Sequence, residues 1–254
     1  MRKTIYSFSL FCASMLALSC SDDSASDDFE EVNGNVEQKL IKSMSLVSAQ
    51  DSDENESIVL SYNTNGSLNT ITTGDDTSIF VYENSELTNI SGGGDTFNME
   101  ELYESPYDAF ETGDVLEYDE NGNPELLEFR EDEYDYDMDD YVTKLYTAEL
   151  VYDDAPNPFY YTLQAGGLID VLDGVQLNFS VNPQLPEIVQ ARLLFPVNNL
   201  SQIIYKDEEG EIVYTINANF VYDEDNYPTS ATVTAVSSDY DDQDTFTTTF
   251  TYVE

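Results

Sequence analysis

The chain has 254 residues, with 52 Asp or Glu against 8 Lys or Arg and no His, for a formal charge of −44. Nucleic acid, anionic lipid and acidic substrates are poor partners for such a surface, because binding a polyanion depends on Lys and Arg displacing counterions. Without histidine there is no Ser-His-Asp triad, no His-based zinc site and no imidazole switch near neutral pH.

Residues 1–19 begin with Arg2 and Lys3 and continue as an apolar stretch from Ile5 to Leu18. It is shorter than the ~20 residues of a spanning helix and reads as a secretory signal. Its end, Leu16-Ala17-Leu18-Ser19-Cys20, resembles a lipobox, with Ala17 where that motif prefers Leu. The resemblance implies lipidation of Cys20 and anchoring in the outer membrane. Plain secretion is the alternative, since Ala17 and Ser19 are small residues at the positions ordinary signal peptidase reads; it would leave a free thiol in an oxidising compartment. Cys12 leaves with the leader, so the mature chain has no disulfide. Loss of Arg2 and Lys3 but of no acid takes the charge to −46.

Residues 20–35 hold six acids and one Phe between Ser21 and Glu31, which predicts an acidic flexible tether. Cys20-Ser21-Asp22 resembles the export tag that sends lipoproteins of the Bacteroidota to the cell surface. Residues 36–254 form the expected single β domain. Its uncompensated charge is screened over about 8 Å at physiological ionic strength. Its melting temperature should therefore rise with added sodium chloride, and further with calcium or magnesium, in thermal melts begun at low salt.

The domain repeats itself. An apolar residue, any residue and then Tyr recur at Leu60/Tyr62, Phe80/Tyr82, Leu116/Tyr118, Leu150/Tyr152, Ile203/Tyr205, Phe220/Tyr222 and Phe250/Tyr252. Residues two apart share one face of a strand, so each pair presents its tyrosine with an apolar neighbour toward the core. Turn chemistry follows, as in Asn63-Thr64-Asn65-Gly66, Asp119-Glu120-Asn121-Gly122 and Asp207-Glu208-Glu209-Gly210, where Gly supplies positive φ and Asp or Asn bonds its own backbone. In Phe246 to Val253 the even positions are Phe, Thr, Phe and Tyr, predicting one buried and one wet face. The expected fold is all-β: an antiparallel meander of hairpins forming one curled sheet or a partly closed barrel, with short helical insertions.

The segments Tyr118 to Pro124, Tyr152 to Phe159 and Tyr222 to Val233 resemble uncharacterised flavobacterial surface lipoproteins carrying degenerate tyrosine-aspartate repeats of the RHS type. That resemblance implies a curled antiparallel sheet. It brings no activity and no catalytic residue.

Met99 to Tyr103 and Gly166 to Gly174 are expected to be helical turns, and Pro183 to Asn199 a long crossing loop. The loop is either a plug over one end of the core or a binding surface. Asp135, Asp137 and Asp139 alternate in the densest acid run; on an extended backbone they offer three carboxylates to a weakly bound calcium, the alternative being a solvated loop. No other cofactor is expected. Carboxylate pairs suited to hydrolysis are too easily supplied by 52 acids to point to an enzyme. The sequence thus predicts a monomeric, non-catalytic interaction or structural module on a lipid anchor. The alternative is a glycan- or divalent-cation-binding accessory lipoprotein of an uptake system; a hydrolase comes third.

Overall fold

The computed structural model describes residues 24–92, 95–98, 114–135, 138–178, 188–238 and 242–253. The strands are β1 (Ile41–Ser48), β2 (Glu56–Tyr62), β3 (Leu68–Thr73), β4 (Asp76–Glu83), β5 (Glu86–Gly92), β6 (Asp95–Asn98), β7 (Asp114–Tyr118), β8 (Pro124–Asp135), β9 (Asp140–Pro156), β10 (Gln176–Asn178), β11 (Ile188–Gln190), β12 (Asn198–Lys206), β13 (Ile212–Tyr222), β14 (Pro228–Ser237) and β15 (Asp242–Tyr252). Thirteen of them form one antiparallel sheet in the order β6-β5-β4-β3-β2-β1-β15-β14-β13-β12-β9-β8-β7, and β10 pairs with β11. The chain thus meanders to one edge, restarts at the other and returns until β15 joins β1. A flat sheet of this width would set its edges about 58 Å apart, close to the full reach of the chain between Asn98 and Asp114. The right-handed twist of strands curls a sheet of this width. The expected antiparallel meander is what the structure shows.

The turns explain the repetition. At Asn63, Asp119, Asp207 and Asp223 the residue accepts a backbone bond from the residue three on, which holds positive φ: Gly66, Gly122, Gly210 and Asn226, with φ of 88, 80, 79 and 62°. In the three Asp copies Oδ1 also accepts the backbone N–H groups two and four residues ahead, at 2.8 to 3.1 Å. The tyrosines before the turns have a second role. Tyr62, Tyr82, Tyr152 and Tyr252 donate their hydroxyls to the carbonyls of Ile41, Leu68, Pro124 and Pro228, at 2.6, 2.7, 2.9 and 2.8 Å. Each acceptor is the first residue of the neighbouring strand, where the ladder leaves a carbonyl in need of a donor. Burial raises all four phenols, that of Tyr82 to about 12.

One face of the sheet is covered by the insertion between β9 and β12, which carries α2 (Tyr160–Gly166), α3 (Leu168–Gly174) and a 3-10 turn (Ala191–Leu194). Val171, Val175 and Ala191 pack with Ile41, Leu60, Leu68, Phe80 and Leu87 in the main core. In its described residues the insertion is therefore a plug, and Gly166 to Gly174 is helical as expected. Met99 to Tyr103 lies outside the described residues. In β15, Thr248 and Phe250 are buried while Thr247, Thr249 and Thr251 are exposed, so the predicted alternation is met.

Two expectations are corrected. Ala25–Asn33 is not a flexible tether but a helix, α1, opened by a capping box between Ser24 and Asp27. Ala25, Phe29 and Val32 share one of its faces and pack in a second core with Tyr160, Ile169 and Val197. The Phe29 ring stacks on Tyr160 with centroids 3.7 Å apart. Acid counting missed this because the partners lie over a hundred residues away. Second, the aromatic side does not face inward in every repeat: Leu116 and Tyr118 are 49% and 40% exposed. They sit on β7, an outermost strand whose register with β8 shifts twice, which breaks the alternation of faces.

Candidate functional site

The described residues of the plug cover only part of their sheet face. Cross-strand partners share a face, and the register carries that face from Leu46 through Thr248, Ala231 and Phe220 to the β12, β9 and β8 side. There Phe129 on β8 opposes Tyr146 on β9, and Tyr205 on β12 opposes both Ala148 and Tyr214. The four rings form a chain: Phe129 to Tyr146 at 5.8 Å, Phe129 to Tyr205 at 5.9 Å in a T-shape, and Tyr205 to Tyr214 at 6.1 Å. Ala148 is the small, buried residue between larger neighbours, and a groove of about 740 Å³ is lined by the four rings. That volume lies within the ~300–1,000 Å³ of small-ligand sites.

Leu145, Val213 and Ile216 complete the apolar lining, and Lys144 stands on one wall. Asp207, Glu208 and Glu209 of the β12–β13 turn form the rim. Glu208 also accepts the backbone N–H of Leu145 at 3.0 Å, which ties the turn to β9. All four aromatic residues are half-buried, and their rings contact one another.

Tyr205 differs from the other repeat tyrosines because β12 runs the opposite way. Tyr62, Tyr82, Tyr118, Tyr152, Tyr222 and Tyr252 close strands that arrive at the edge where the plug begins and ends, whereas β12 leaves from that edge. Tyr222 at the plug edge donates to Asp153 and accepts from Asn199 Nδ2 at 2.9 Å; burial, then the bond to Asp153, raises its phenol. Sequence reasoning missed the groove, although the pairing of Ile203 with Tyr205 marked one wall of it.

The other predicted site residues are not brought together. Cys20 and Asp137 lie outside the described residues, as does the side chain of Asp135. Asp139 sits in the β8–β9 turn with φ 55°, so the acid run is not one extended edge. Its carboxylate accepts the hydroxyl of Tyr134. Among the described residues no three His, Cys, Asp or Glu are placed to hold a metal ion. Asp173, whose carboxyl is raised chiefly by burial, accepts the first N–H of α1 and stands apart from the groove.

At the plug edge Lys39 Nζ bonds Asp223 at 2.8 Å and Asp225 at 2.6 Å. Burial opposes the charge on both Lys39 and Asp223, but the ion pair and the turn's N–H groups prevail, raising the amine and lowering the carboxyl. A carboxyl lowered by folding contributes stability that is complete above its ordinary value of 3.8 and is lost as the pH falls through the lowered one. Lys39→Met should therefore be destabilising at pH 7, and its gap from the parent chain in urea midpoints should close below pH 3.8.

No protein-family model and no curated protein sequence matches the chain. Among solved structures it is similar to a porin-like protein from Bacteroides uniformis, with 14% identity and a TM-score of 0.39 over 86% of this chain and 99% of that one. A porin-like protein from Bacteroides vulgatus gives 12% and 0.29 over 78% and 66%. A putative outer membrane lipoprotein-sorting protein domain from Vibrio parahaemolyticus gives 9% and 0.27 over 89% and 88%. None of the three superposes closely enough for its properties to be carried over.

Proposed function

We propose that this chain is a lipid-anchored outer-membrane lipoprotein, displayed at the cell surface, whose β domain is a non-catalytic interaction module. The observation that carries the proposal is the placement of the groove relative to the anchored end. Ala25, the α1 residue nearest Cys20, donates its N–H to Asp173 of α3 at 2.7 Å, while the described groove lining comes from β8, β9, β12, β13 and the β12–β13 turn. Cys20 lies only five residues before Ala25, a reach of at most about 17 Å. With α1 docked, the lipid is tied close to the plug, and no described residue of the plug lines the groove.

The test uses the full-length chain and its Cys20→Ala variant. The parent should take up a palmitate analogue, sediment with membranes and be digested by protease on intact cells; the variant should do none of the three. A variant that still sediments with membranes, or a parent digested only after the cells are broken, overturns the reading. A glycan-binding accessory lipoprotein is the second reading, favoured by the ring faces of Tyr146, Tyr205 and Tyr214 in the groove, which can stack on sugar rings.

A further inference from the structure

We infer that the groove accepts a cationic, amphipathic peptide segment of a partner protein, with Lys or Arg side chains directed at the β12–β13 turn. The inference rests on the interaction-module reading and adds the chemistry of the occupant. Two properties of the groove select that chemistry together. Its lining presents four aromatic rings, and a ring face attracts a cation while its body takes up apolar surface. Its rim sets three consecutive carboxylates at one end, Asp207, Glu208 and Glu209.

The rim is not consumed by the fold. Asp207 uses Oδ1 to hold its own turn, through the N–H groups of Glu209 and Glu211 at 3.1 and 2.8 Å, and Glu208 uses Oε1 on Leu145. A carboxylate has two oxygens and about four acceptor sites, so both keep capacity for a donor. Glu209 is exposed. Lys144 is on the β9 wall, next to the residue that Glu208 holds, and against it stand the three carboxylates of the turn. A neutral sugar would use the rings but gain nothing from the acidic rim. An anionic ligand would be repelled by the rim and by the field of a chain at −44. A segment that alternates Lys with Leu matches both properties, and the long-range field would also speed its arrival.

The deciding measurement is calorimetric titration of the mature chain, with Cys20→Ser to keep it monodisperse, at 150 mM sodium chloride, where general attraction to an acidic surface is screened beyond about 8 Å. The probes are the blocked peptide Lys-Leu-Lys-Leu, its uncharged counterpart Gln-Leu-Gln-Leu, and a panel of neutral oligosaccharides. The charged peptide should bind at least tenfold more tightly than the uncharged one. Tyr214→Leu, which keeps an apolar side chain but removes the ring face, should weaken it about tenfold. Tyr141→Leu, at a tyrosine 67% exposed and outside the groove, should leave it unchanged. If Tyr214→Leu melts well below the parent, the exposed Glu209→Gln serves instead, with an expected loss of about threefold. Equal affinity in the parent, Tyr214→Leu and Glu209→Gln overturns the inference, since binding then belongs to the acidic surface at large. Oligosaccharide binding lost in Tyr214→Leu, with no preference for the charged peptide, also overturns it but leaves the interaction module standing. Absence of binding by every probe overturns the inference, and the membrane and protease assays then judge the module alone.

Discussion

Phe29→Ala should cost about 3–5 kcal/mol, the usual penalty for truncating a buried Phe. Phe29 is fully buried, stacked on Tyr160 at 3.7 Å and edge-on to Tyr161 at 5.7 Å. The other holds of its helix on the body are smaller: Ala25 and Val32 pack beside the ring, Asp28 pairs with Arg192, the N–H of Ala25 bonds Asp173 at 2.7 Å, and Asn33 donates to the Val197 carbonyl at 2.9 Å. A nine-residue helix is marginal by itself in water, so losing the ring should undock α1 before the sheet melts. Digestion with a glutamate-specific protease reads this directly. Glu30 and Glu31 should resist cleavage in the parent and be cut at least tenfold faster in the variant. Equal cutting rates would show that α1 is not held by Phe29. For the proposed lipid anchor at Cys20, the same experiment decides between a short link and a long leash, because an undocked α1 lengthens the link to Cys20.

Asn123→Ala should be almost as costly, at about 3–4 kcal/mol, although it removes only an amide. Asn123 is fully buried at the end of the β7–β8 turn. Its Oδ1 accepts the N–H groups of Val197 at 2.7 Å and Asn198 at 3.2 Å, and its Nδ2 donates to Asp119 and Asn198, both at 2.9 Å. Alanine orphans two backbone donors at the point where the plug returns to the sheet, at about 1–3 kcal/mol each. Asn121, two residues earlier and half-buried, donates once to Asn198 at 3.1 Å. Asn121→Ala should cost no more than about 1 kcal/mol. Urea midpoints at constant m-value measure both, and similar losses for the two would refute the role given to Asn123.

The contrast between Asn121 and Asn123 separates what is local from what is not. Asn-Gly-Asn-Pro announces a turn to any reader of the sequence, and the turn is there, because its bonds run between residues within four positions of one another. The alternation in β15 and the apolar-x-Tyr pairs are legible for the same reason: a strand's two faces follow from a period of two. The one curled antiparallel sheet follows from repeating such hairpins.

Three features needed the whole fold. Ala25, Phe29 and Val32 carry a helical spacing, but among so many acids only Tyr160, Tyr161 and Phe195 give that face something to bury. Asn123 cannot be told from Asn121 until Val197 arrives beside it. Tyr205 carries the same motif as Tyr222, yet one lines the groove and the other is bonded to Asp153 and Asn199 at the plug edge. The sequence by itself determined the strands, the turns and the acidic surface, all set by neighbours along the chain. Which edge of the sheet each tyrosine reaches was decided by the tertiary structure. Strand direction alternates through the meander, and the insertion between β9 and β12 leaves from and returns to one edge.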